Sequence, residues 1–171
     1  MATNQPSAKK RQPAKAALCA GDRAPRISLE DDEGNARSLD DFAGQWIVLY
    51  FYPKDNTPGC TREAQAFRDA APELARLKAV VVGVSRDSVA SHAKFKEKFE
   101  LPFPLLSDPT TETHTAYGAF GEKVMYGKAV TGALRTTVLI RPDGTVARVF
   151  RNVKVDGHVE AVLKALREGG G

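Results

Sequence analysis

The chain has 171 residues, 42% hydrophobic and 27% charged, a balance that fits one globular domain with its own core and excludes fibrous and disordered classes. Its longest apolar run, Trp46 to Tyr52, is far too short to span a bilayer, and the first residues carry no apolar signal-peptide core. The net charge of +4 is local: Lys9, Lys10, Arg11 and Lys15 lie in an acid-free stretch, and residues 21–171 balance 21 bases against 21 acids. Residues 1–20 therefore read as a flexible, solvated basic tail, so neither nucleic acid nor membrane is expected as a partner of the folded domain. Two cysteines and no export signal place the chain by default in a reducing cytoplasm, where a cysteine is catalytic or redox-sensing more often than structural.

The folded domain is expected over residues 21–168, with residues 169–171 a flexible end. Ile27-Ser28-Leu29 reads as a short strand, turned by Asp32-Glu33-Gly34-Asn35 into a return strand around Ala36–Ser38. Leu39-Asp40-Asp41-Phe42 fits one helical turn. Trp46–Tyr52, bounded by Gly44 and Pro53, fits a strand buried on both faces. A helix is expected from about Cys60, with Ala64, Phe67 and Ala71 on its apolar face and a break at Pro72. Val80–Val84 reads as a second buried strand, Ser88–Phe99 as a helix, Leu105-Leu106 as a short strand and Thr110–Tyr117 as a short helix. Thr136–Ile140 and Val146–Phe150 flank the turn signal Arg141-Pro142-Asp143-Gly144, and Val159, Val162, Leu163 and Leu166 mark a closing amphipathic helix. Strands that alternate with helices and end in an antiparallel pair imply an α/β fold with a central mixed sheet flanked by helices. This order matches a thioredoxin-like fold with an extra N-terminal β-hairpin and an insertion around residues 101–132.

The chemistry gathers at Tyr52-Pro53-Lys54-Asp55-Asn56-Thr57-Pro58-Gly59-Cys60-Thr61-Arg62-Glu63. A cysteine at a helix start meets unpaired N–H groups and the positive end of the dipole, a setting suited to a nucleophilic thiolate. Thr57 can direct a hydroxyl into the same space, either donating to a ligand or accepting from it. Pro53 would limit water around the sulfur, and Gly59 would let a ligand approach the backbone. There is no Cys-x-x-Cys, so dithiol exchange lacks its second sulfur. His92, His114 and His158 stand without paired ligand spacing, which supports neither a metal nor a cofactor; each reads as a surface residue. Arg62 and Arg68 read as solvated, and Trp46, Phe51 and Tyr52 as core or pocket wall.

Pro53-x-x-x-Thr57-x-x-Cys60 resembles the active-site signature of the peroxiredoxins. The flanking Leu49–Asp55 and Gly59-Cys60-Thr61-x-Glu63 are similar to their bacterioferritin-comigratory, or Q-type, branch, as are Gly83-Val84-Ser85-x-Asp87-Ser88, Leu106-Ser107-Asp108-Pro109, Met125-Tyr126-Gly127-Lys128 and Arg135-Thr136-Thr137. The resemblance spans roughly Gly21 to Leu166. It implies a thiol-dependent peroxidase that reduces hydrogen peroxide and organic hydroperoxides, with Cys60 as the peroxidatic thiolate that becomes a sulfenic acid. It further implies that Thr57 and the Cys60 N–H bind the peroxide and that Arg135 holds the thiolate and stabilises charge as the O–O bond breaks. Glu63, one turn after Cys60, would orient Arg135. The alternative from another class is a redox-sensing or chaperone-like interaction protein that uses Cys60 oxidation as a signal.

The sequence departs from many Q-type relatives at Gln65, where the resolving cysteine would stand, and residues 86–99 hold no cysteine either. Two cycles remain open: Cys19 attacks the Cys60 sulfenic acid, within the chain or across a dimer, or an external thiol does so in a one-cysteine cycle. The second is preferred, because nothing around Cys19 resembles a resolving site. The reductant, thioredoxin or glutaredoxin with glutathione, stays open, and a monomer or weak dimer suits the resemblance.

Overall fold

The structure, a computed structural model, describes residues 17–169. The basic stretch of residues 1–16 and the last two glycines lie outside the described residues. Among the described residues, nine strands and five helices follow in chain order. Strands β1 (Leu29–Asp31) and β2 (Ala36–Arg37) form the N-terminal hairpin, and β3 (Trp46–Phe51) follows a 3-10 turn at Leu39–Phe42. Next come α1 (Pro58–Asp69), α2 (Ala71–Arg76), β4 (Ala79–Ser85), α3 (Val89–Phe99), β5 (Leu105–Ser107) and α4 (Glu112–Ala116). The chain closes with β6 (Phe120–Met125), β7 (Lys128–Ala133), β8 (Thr136–Ile140), β9 (Val146–Phe150) and α5 (His158–Gly169).

Seven strands make one mixed sheet in the order β2-β1-β5-β4-β3-β8-β9, with β3, β4 and β5 parallel and the outer pairs antiparallel. Side chains of β3 alternate between two cores, as the pleat of a strand requires. Val48, Tyr50 and Tyr52 face a layer built from α1, α2, α3 and α5 that includes Cys60, Phe67, Leu74, Phe95 and Val162. Ile47, Leu49 and Phe51 face the other layer, with Ala24, Ile27, Phe42, Tyr117 and Val146, against which Leu18 packs. A strand buried on both sides is therefore continuously apolar, as Trp46–Tyr52 predicts.

The observed boundaries depart from the sequence reading where polar side chains decide them. The first strand starts at Leu29 rather than Ile27, because the buried Asp31 carboxylate organises the turn: it accepts the N–H groups of Glu33 and Asn35, each at 2.9 Å, and the Arg37 guanidinium at 2.8 Å. Helix α1 starts two residues earlier than expected, with Pro58 in its first turn, where a missing N–H costs nothing. Helix α2 does begin anew at Pro72's own turn. The expected insertion contains a second hairpin, β6–β7, whose turn places Tyr126 at φ 55° and Gly127 at φ 79°. Its Val124, Met125 and Tyr126 are exposed, so no core-facing alternation marked it in the sequence.

Gly83 shows how tightly the central strands meet. A Cβ there would lie 2.8 Å from Leu105 Cδ2 and 3.1 Å from the Tyr50 ring. Gly83→Ala is expected to lower stability by about 1–3 kcal/mol through overpacking, read as a lower urea midpoint at unchanged slope.

Candidate active site

Strand pairing builds the site. The register of β3 on β8 sets Phe51 opposite Thr136, so Arg135, one residue before β8, arrives where β3 gives way to the loop leading into α1. Thr57 caps α1 in extended conformation and its carbonyl accepts the first helical hydrogen bond, from Thr61 N–H at 2.8 Å. Pro58 has no N–H, so the free donors of the first turn belong to Gly59 and Cys60, and neither meets an acceptor among the described residues. Cys60 is 2% exposed, on the helix face turned to the sheet.

Arg135 joins two partners. Its Nη2 donates to Cys60 Sγ at 3.4 Å, and its Nη1 donates to Glu63 Oε1. A Cβ at position 59 would sit 3.4 Å from Nη2, so the guanidinium packs closely over this part of the helix start. Glu63 is 1% exposed, and its second oxygen is buried without a partner among the described residues. Burial outweighs the favourable pull of Arg135 and raises the Glu63 carboxyl to about 7. Burial opposes the charge of Arg135, but Glu63 and Cys60 together raise its pKa further. Burial likewise lifts the Tyr50 phenol well above its ordinary range, with Glu63 and Cys60 adding to the effect. The site is thus a dry pocket around one fixed cation.

The hydroxyl of Thr57 donates to the Lys54 carbonyl at 2.8 Å, so its oxygen keeps its lone pairs for a donor from elsewhere. Pro53 follows β3 half-buried, without a hydrogen bond to Cys60. Of the five residues singled out in the sequence, Cys60, Glu63 and Arg135 are in direct contact, and Thr57 and Pro53 belong to the loop that enters α1.

Two expectations need correction, those on the histidines and on Arg68. The histidines are not surface residues: His92 and His114 are fully buried and His158 is 6% exposed. His92 engages both ring nitrogens, with Asp55 and the Leu106 carbonyl, and His158 pairs with Thr137; His114 pairs with Asp108 through Nδ1, while its Nε2 is buried without a partner among the described residues. Burial, and then the nearby Arg135 charge, lower His158 to about 4, so it is neutral beside the site at neutral pH. Arg68 is half-buried and donates to the Phe99 carbonyl at 2.9 Å, whereas Arg62 is exposed and pairs with Asp156. Finally, one metal-sized cluster exists among the described residues, Asp55, Asp87 and His92, with ligand atoms within 4.8 Å of one another. Those atoms are already engaged: Asp55 Oδ2 by Ser91 and His92, Asp87 Oδ2 by Ser85 and the Asp55 N–H. A cation would have to displace these bonds.

Cys19 is exposed, and no disulfide joins it to Cys60. Its segment is tied to the β8–β9 turn: Gly21 N–H donates to Val146 O, Val146 N–H to Asp22 O and Ala24 N–H to Gly144 O. The charge of Asp22, then its hydrogen bond, raise the Cys19 thiol, which makes it a poorer nucleophile at neutral pH. Its neighbour Leu18 and its anchor Val146 belong to the layer across the sheet from Cys60. A disulfide needs Cα atoms within about 7 Å; the backbone bonds of residues 21–24 instead hold the Cys19 segment against the β8–β9 turn.

The model of the AhpC/TSA family matches residues 20–149. Peroxiredoxin Bcp of Xanthomonas campestris is 48% identical over 141 residues, covering 82% of this chain and 88% of its own. Peroxiredoxin Bcp of Bacillus subtilis is 45% identical over 148 residues, covering 86% and 94%. A solved structure of the Xanthomonas campestris bacterioferritin comigratory protein superposes with a TM-score of 0.80 at 44% identity, covering 85% of this chain and 92% of that one. The mixed sheet flanked by helices is the thioredoxin-like arrangement of these peroxiredoxin structures. With a family model over most of its length and relatives above 40% identity, the chain belongs to the AhpC/TSA family, in the peroxiredoxin Bcp group.

Proposed function

We propose that the chain is a thiol-dependent peroxidase acting on hydrogen peroxide and organic hydroperoxides through Cys60. The observation that carries this reading is the guanidinium of Arg135 on the Cys60 sulfur, beside the two free N–H groups that open α1. The Xanthomonas campestris relative is described for alkyl peroxide reduction, which supports the same substrate class here. Peroxide would lie across the first turn of α1, its hydroxyl donating to Thr57 Oγ1 and its oxygens accepting from the N–H groups of Gly59 and Cys60 and from Arg135. The Cys60 thiolate attacks the nearer oxygen. The S–O bond forms as the O–O bond breaks, the leaving oxygen takes a proton to become water or an alcohol, and Cys60 is left as a sulfenic acid. Arg135 and the N–H groups stabilise negative charge where it grows on the leaving oxygen. Half-buried Pro53 would limit water at the sulfur, and Glu63 would orient Arg135.

Recycling in this reading uses an external thiol. That thiol attacks the Cys60 sulfur, releases water and forms a mixed disulfide; a second thiol then frees Cys60 and carries away the disulfide. Support comes from Gln65 in place of a cysteine and from the backbone bonds that hold the Cys19 segment at the β8–β9 turn. Thioredoxin and the glutaredoxin–glutathione pair both supply this chemistry. No helix among the described residues is long and apolar enough to cross a membrane; two unpaired cysteines support a reducing, cytoplasmic setting.

Cys60→Ser is expected to abolish peroxide consumption with the fold intact, whereas Cys19→Ser keeps full turnover with either reductant. Sustained consumption by Cys60→Ser, or loss of it in Cys19→Ser, would refute the respective assignment in a coupled turnover assay. Arg135→Ala is expected to slow Cys60 oxidation about 10²–10³-fold, the usual cost of removing a donor to developing charge, measured by stopped-flow kinetics. The raised Glu63 carboxyl has a defined pH consequence. Between pH 4.5 and about 7 the folded state binds more protons at Glu63 than the unfolded state. The stabilisation due to neutral Glu63 is therefore complete below pH 4.5 and disappears as pH rises through about 7. Denaturation across this window is expected to show wild type losing stability relative to Glu63→Gln, by about 3 kcal/mol at most.

A further inference from the structure

A second buried network lies beside the peroxide pocket, and the chemistry above does not use it. Its centre is Asp55, in the loop between β3 and α1. One oxygen of its carboxylate accepts the Tyr52 hydroxyl at 2.6 Å; the other meets the Ser91 hydroxyl and His92 Nδ1, both at 2.8 Å. Its N–H donates to Asp87 Oδ2 at 2.8 Å, and Asp87 is itself held by the Ser85 hydroxyl at 2.6 Å. The loop is thereby tied to β3, β4 and α3 at once.

His92 links this loop to a fourth element. Its Nε2 lies 2.9 Å from the Leu106 carbonyl in β5, a group that only accepts, so Nε2 carries a hydrogen. Its Nδ1 lies 2.8 Å from the Asp55 carboxylate. With both nitrogens engaged and the ring fully buried, the imidazole works as a strut of fixed length between β5 and the loop. Two residues beyond Asp55, past Asn56 at φ 61°, Thr57 donates to Lys54 O and caps α1. The placement of Thr57, and of the N–H groups of Gly59 and Cys60, follows from where Asp55 is held.

We propose that His92 is a positioning residue for the peroxide pocket, acting through Asp55 on Thr57 and the first turn of α1. The proposal rests on the peroxidase reading of Cys60. Without its bond from His92 the buried Asp55 carboxylate loses a strong donor, and its cheapest remedy is to turn toward water and take the loop with it.

The test compares two replacements that each keep half of the strut. Asn at position 92 sets an amide N–H near the place of Nδ1 and keeps the bond to Asp55; Gln reaches toward the Leu106 carbonyl and drops Asp55. Two single-turnover rates are read for Cys60: oxidation by hydrogen peroxide, which needs the pocket, and alkylation by iodoacetamide, which needs only the sulfur. His92→Gln is expected to lose about 100-fold in oxidation, the scale of a misplacement near 1 Å, with alkylation little changed. His92→Asn is expected to recover most of that loss. Equal oxidation rates in the two variants, wild-type oxidation in His92→Gln, or a parallel fall in both reactions overturns the proposal. Should neither variant fold, Ser91→Ala decides, because it removes a donor to Asp55 without opening the core. It is expected to slow oxidation about fivefold, the worth of one hydrogen bond, and an unchanged rate overturns the proposal. A wild type whose Cys60 is not oxidised by peroxide would instead overturn the peroxidase reading, and the proposal with it.

Discussion

A guanidinium shared between a buried carboxylate and a sulfur is the constraint from which the site follows. Arg135 presents two nitrogens in a rigid fork. Once Glu63 holds Nη1, the direction of Nη2 is set, and it lies on Cys60. Glu63 in turn tolerates its dry position only because Arg135 is there, since an unpaired buried carboxylate is strongly unfavourable. The pair is mutually dependent, and removing either member changes what the other can do. The sheet must deliver Arg135 to this spot from 72 residues away, which it does through the antiparallel register of β3 and β8.

Strand β3 carries the architecture for this. Its even-numbered side chains support the helix layer that holds Cys60, while its odd-numbered ones build the opposite core. The same alternation that makes the strand a rigid base for the pocket therefore divides the molecule into two compartments. Cys60 belongs to the first of them, and Leu18, the neighbour of Cys19, packs against the second.

The parts of this arrangement differ in how far the sequence discloses them. Cys60 and Thr57 share one turn and its flanks, so local residue types suffice to mark them. The strands β3 and β4 are legible because burial on both faces leaves only apolar residues to choose. Glu63 and Arg135 are legible only through the family resemblance, since a carboxylate on a helix and an arginine before a strand are ordinary surface features until a fold joins them. The histidines were misplaced for the same reason in reverse: His92 finds Asp55 across 37 residues and His158 finds Thr137 across 21, separations at which no spacing rule applies. The β6–β7 hairpin escaped notice because its exposed strand ends obey no buried pattern. Long-range polar pairing, unlike apolar periodicity, leaves no trace in a local window.

The anchoring of the Cys19 segment to the β8–β9 turn has a consequence for how the molecule survives its own chemistry. A resolving thiol carried on the same chain acts at an effective concentration in the millimolar range, whatever the surroundings contain. In the external-thiol cycle proposed above, a Cys60 sulfenic acid waits for a collision, and during that wait a further peroxide can carry it to the irreversible sulfinic acid. The competition between rescue and loss is then decided by the ratio of free thiol to peroxide around the molecule. Its working life becomes a property of its environment's reducing capacity, and its inactivated fraction a cumulative record of the times when that capacity ran short.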